Sequence, residues 1–218
     1  MRVFRWLGWF AVAVIVGHHV GTIFAGLGDA GRGTRWADWV DLLTPYAVVG
    51  TALATLLAAG ADRRTWLLAA FASIVYVEGH GIHLSANSIG NARGNGQPVH
   101  LWDEVIGHYL WYSGWFLLVA PLARALLARP RPVGWRWAVL AGLFGVTTAT
   151  NTIEGGVPYL GLLAAAAFIA WGWRHRPGSG LLLVTAYGVG FALLAGWGIY
   201  WAVAEGRSFP QFSELGWI

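Results

Sequence analysis

The sequence predicts an all-α integral membrane protein: one seven-transmembrane-helix bundle covering residues 1–218, with the N-terminus in the cytoplasm and the C-terminus outside. Three observations predict it: a composition short of charge, seven apolar runs of bilayer length, and arginines that alternate between the two ends of those runs.

Of the 218 residues, 57% are hydrophobic and 11% charged, against the roughly 25% charged of a soluble domain. Too few charges remain to coat a surface in water. The 15 tryptophans lie mostly near the ends of apolar runs, where an amphipathic ring suits the headgroup level. Cysteine is absent, which excludes disulfides, thiolate nucleophiles, iron–sulfur clusters and cysteine-ligated haem. Lysine is absent too, since all 14 basic residues are arginine, so Schiff-base chemistry is excluded. Met1 is the sole methionine, which argues against a methionine axial ligand. The net charge of +4 reads as topology and not as affinity for nucleic acid.

Runs of about 17 to 25 apolar residues cross a bilayer as helices. Seven fit, at 3–27, 39–61, 65–85, 101–127, 133–152, 157–173 and 181–204. The first resembles a signal peptide in its basic flank, yet it is too long and carries His18 and His19 near its end, so it reads as a retained helix. Cytoplasmic segments are enriched in positive charge. Arg2, Arg5, Arg63, Arg64, Arg124, Arg129, Arg131, Arg136, Arg174 and Arg176 fall on one side of the map, and only Arg32, Arg35, Arg93 and Arg207 on the other. The one long connection, 87–100, reads as an outer loop from its Gly, Asn and Pro content, and the tail after Glu205 is placed to fold back over the outer mouth.

The remaining polar residues gather at the outer ends. Glu78, His80, His83 and Asn87 close the third helix, His100, Asp103, Glu104 and His108 open the fourth, and Asn151 and Glu154 end the fifth. Each ionisable group at membrane depth costs on the order of 2.5 to 3.5 kcal/mol, so such groups face the bundle interior and share partners. At about 100° per residue, His80, His83 and Asn87 share one face, as do Glu104 and His108, with Tyr112 a turn deeper. Glu78 points about 200° away from His80, so it reaches the cluster only if the backbone unwinds at Gly79 and Gly81, or acts from behind a ligand. Glu154 shares a stripe with Asn151 and Thr147 and completes the cluster from a third helix. His100 reads as a loop residue, His175 as a solvated one, and Asp38, Asp41, Glu205 and Glu214 as outer-surface charges.

Imidazoles with carboxylates suit a divalent transition metal, zinc or iron, whereas calcium and magnesium prefer oxygen alone. The expected ligands are His80, His83, His108, Glu104 and Glu78, with Glu104, Asp103 and Glu154 as the catalytic acids and bases. Zinc with an open position acidifies bound water and leaves a carboxylate as general base, a hydrolase arrangement acting on membrane lipids or another apolar substrate. Four carboxylates also suit two irons in an oxidoreductase, paired histidines suit a haem-binding electron-transfer bundle, and acid–histidine chains suit a proton-coupled transporter. The transporter requires polar residues continuing towards the cytoplasm, and the inner halves of helices three to five are largely apolar.

In helix count and in this outer His/carboxylate cluster, the chain resembles the seven-helix membrane metal hydrolases that include alkaline ceramidases and adiponectin-receptor-like proteins. That resemblance implies zinc near one bilayer face and cleavage of lipid amides. His80 or His83 with His108 would then hold the zinc, and Glu104 or Asp103 would activate water. It rests on no shared linear motif, and the family's paired histidines on the last helix are replaced here by Tyr200, Trp201 and Glu205.

Overall fold

The computed structural model describes residues 2–94, 96–129 and 134–217. Arg131 and the first residue of the 133–152 run lie outside them. The described chain is mainly helical, with one two-stranded hairpin, β1 (Asp29–Gly31) and β2 (Thr34–Arg35), and a non-helical tail after Glu205. The helices are α1 (Arg2–Gly17), α2 (Val20–Ile23), α3 (Trp36–Asp41), α4 (Thr44–Ala59), α5 (Arg63–Arg93), α6 (Gln97–His100), α7 (His108–Leu127), α8 (Trp135–Glu154), α9 (Pro158–Arg174) and α10 (Gly180–Glu205). A π-helical turn, Leu101–Gly107, joins α6 to α7 without interruption. Four stretches, Trp36–Ala59, Arg63–Arg93, Gln97–Leu127 and Gly180–Glu205, are long and apolar enough to cross a membrane.

Two boundaries differ from expectation. The 3–27 run does not form one helix: α1 stops at Gly17, and the chain turns through His18 and His19 into α2, a 3₁₀ turn and the hairpin. The 87–100 segment is largely helix, because α5 continues to Arg93 and α6 begins at Gln97 with Pro98 in its first turn, where a missing N–H has no cost. Asn91 Nδ2 donates to Asn87 Oδ1 across 2.6 Å, one turn apart on α5. The polar residues there belong to a helix running on past the apolar region, a case that turn-type composition does not distinguish from a loop. At the other end Asp62 caps α5 by accepting from Thr65 N at 2.8 Å, a bond that holds its carboxyl below the usual range.

α7 is buried along most of its length, and α5 makes the most extensive packing against it. Small residues set their separation. A Cβ on Gly79 of α5 would lie 2.1 Å from Trp111 N, and one on Gly114 of α7 would lie 2.2 Å from Tyr76 N. Backbone therefore meets backbone at both crossings, and Ala at either position would drive the helices apart. At the same seam, Gly107 sits where a Cβ would lie 3.0 Å from His83 N. This close approach puts His83 directly across from His108.

Candidate metal centre

The π turn decides which residues of the α6–α7 rod face α5. His108 N–H donates to Asp103 O, five residues back, so Asp103 is brought beneath His108 where an α-helix would turn it about 140° away. Asp103 and His108 are buried, at 4% and 5% exposure. From α5, His83 Nδ1 lies 2.6 Å from Asp103 Oδ1. The His83 and His108 rings are 4.5 Å apart between centroids. One potential ligand atom from each of His83, Asp103 and His108 lies within 4.8 Å of the others. Glu104 Oε2 is 3.3 Å from His108 Nδ1, without the alignment of a hydrogen bond, and that buried nitrogen has no hydrogen-bond partner. A buried, unsatisfied imidazole nitrogen beside two carboxylates and a second imidazole is suited to a cation.

The group opens on a cavity of about 790 Å³. Residues from α1 to α3 form one wall, and α5, α7 and α8 form the others. Tyr112, on the α7 side, donates to Asn151 O across 2.9 Å and ties α7 to α8. The tail closes over the mouth as expected. Glu154 Oε2 accepts from Phe212 N at 2.7 Å and Ser213 N at 3.2 Å, and Gln211 Nε2 donates to Glu154 O at 2.6 Å and Glu104 Oε2 at 3.4 Å. Trp197 Nε1 donates to Pro210 O at 3.0 Å.

Of the residues expected at the site, His83, Asp103, His108 and Glu104 come together. Asp103 joins the potential ligands instead of standing apart as a base. Glu154 lines the cavity with its carboxylate engaged by the tail. His80, only 1% exposed, is held away from the group by Asp41, whose Oδ1 is 3.2 Å from His80 Nε2. Glu78 is exposed on the outside of α5, because the helix stays regular through Gly79 and Gly81 and its rotation carries Glu78 away.

Asp41 and His18 also line the cavity. Asp41, taken as a surface charge, is bound to buried His80, and His18 Nε2 lies 3.0 Å from the hydroxyl of Tyr76. The spacing Tyr76, His80, His83 (i, i+4, i+7) was the available signal, since all three share one helix face and each takes a polar partner from a different element. Asp38, also on the cavity wall, caps α3. It accepts from Arg35 N at 2.9 Å and from the Arg35 guanidinium at 2.7 and 3.1 Å. No known protein family, curated protein or solved structure matches the chain.

Proposed function

We propose that this protein is a membrane-embedded metalloenzyme whose ion is held by His83, Asp103 and His108, with Glu104 as general base, hydrolysing a lipid or other apolar substrate. The observation that carries the reading is the convergence of three potential ligand atoms within 4.8 Å on the wall of a large cavity. Two imidazoles and one carboxylate match the donor set of catalytic zinc, and a zinc-type ion with an open position would supply acidified water. His83 and Asp103, already in contact at 2.6 Å, would each turn one ligand atom to the ion. Glu104, half-buried beside His108, is placed to take a proton from water and return it to a leaving group. The tail lies over the mouth, held to Glu154 and Glu104.

The other readings fit the geometry less well. Ring centroids 4.5 Å apart leave no gap for a porphyrin between His83 and His108. A second iron would need Glu154, whose carboxylate is engaged by tail amides. A proton path would need polar residues below Tyr76, where Ala72 and Ala69 are fully buried. The alternation of arginines supports seven crossings with the site on the outer side. Elemental analysis of the purified protein with an optical spectrum tests the reading: about one zinc per chain and a featureless visible region are expected, whereas oxo-iron bands or a Soret band would replace it. Reporter fusions should place the N-terminus inside and the C-terminus outside, and both termini on one side would overturn the seven-crossing map.

A further inference from the structure

The deep part of the cavity carries polar groups that the proposed reaction does not use. Along α5, Tyr76 holds His18 at 3.0 Å and His80 holds Asp41 at 3.2 Å. These anchors are one turn apart, about 6 Å along the helix axis, and both lie deeper than His83. His18 and Asp41 both line the cavity. His18 is 8% exposed, and its Nδ1 is buried without a partner. When Nε2–H donates to Tyr76, Nδ1 is a bare acceptor. The surrounding wall is acidic. Asp38, Asp41, Asp103, Glu104 and Glu154 line the cavity against the single guanidinium of Arg35, which is already bound in two places to Asp38. Even a divalent ion at His83, Asp103 and His108 leaves this wall net negative. An anionic headgroup would meet repulsion from these carboxylates, whereas a protonated amine would supply a countercharge to Asp41 and, in the tautomer that leaves His18 Nδ1 bare, a hydrogen to that nitrogen.

We propose that His18 and Asp41 form a subsite for the protonated amine of an amphiphilic substrate, next to the reacting centre. This rests on the reading of the cavity as the substrate site of a metalloenzyme, and it narrows the substrate class to amine-bearing amphiphiles. Tyr76 and His80 are positioning residues that hold the two acceptors one turn apart.

The test uses the full, metal-loaded chain in zwitterionic nanodiscs, titrated with octylammonium, octanol and octanoate, with empty nanodiscs as the partition blank. Octylammonium should bind saturably, about tenfold tighter than octanol, with octanoate weakest. Asp41→Asn should bring the amine to the level of the alcohol, and His18→Leu should weaken it several-fold, both with metal content unchanged. Octanoate binding as tightly as octylammonium to the unmodified protein would overturn the proposal without recourse to any variant. So would unchanged amine affinity in both variants. Metal content is measured on the same samples: metal present without amine preference defeats the subsite alone, and amine preference without metal defeats the metal reading alone.

Discussion

His108→Ala is expected to yield folded protein that has lost its metal, with content falling from about one ion per chain to roughly a tenth or less, since loss even of a group that only orients a ligand costs about 10- to 100-fold in affinity. His108 sits on the cavity wall, so the truncation enlarges an existing space. The α5–α7 contact rests on Gly79 and Gly114, which the change leaves alone. His83 is a stricter case, because His83→Ala would also strip buried Asp103 of its bond to the imidazole and cost stability of about 1 to 3 kcal/mol or more. His83→Gln, which keeps a donor for Asp103, separates the two effects. His175→Ala is the control: His175 is exposed and bonded to Trp171 O, and its loss should change nothing. Elemental analysis and thermal unfolding on each variant decide the matter. Metal retained after loss of both His83 and His108 would mean that the ligand set is wrong.

Glu104→Gln should leave metal bound while lowering turnover by about 10²- to 10⁴-fold, the usual contribution of a general base. The amide keeps the shape and still accepts from Gln211, but it no longer accepts a proton as a carboxylate does. Hydrolysis of an acyl p-nitrophenyl ester gives a probe reaction for purified protein. Asp38→Asn is the matched comparison, because Asp38 serves the start of α3 through Arg35. That change should cost about 1 kcal/mol of stability with little effect on rate. Metal lost from Glu104→Gln would make Glu104 a ligand. Undiminished turnover would remove it from the reaction and point to Asp103 or Glu154.

The sequence by itself determined the helical class, because hydrophobic runs and helix periodicity are local properties. The runs at 65–85, 101–127 and 181–204 all fall within the observed α5, the α6–α7 rod and α10. The pairing of Glu104 with His108 was also local, a matter of four residues on one rod. Composition misplaced one boundary: the segment 87–100 reads as a loop from its turn-type residues but is mostly helix.

Only the tertiary structure decided the membership of the site. Asp103 enters it through a π turn, whose i, i+5 backbone bond a reading at 100° per residue does not include. His80 leaves it because Asp41, 39 residues away, claims its Nε2. Glu78 leaves it because α5 does not unwind. His18 and Asp41 reach the cavity because α1 breaks at Gly17 and α3 folds back against α5. Periodicity assigns a residue to a face of its own helix. Which face meets which partner is set by where backbones approach closest, here at Gly79, Gly107 and Gly114, and that depends on packing between distant segments.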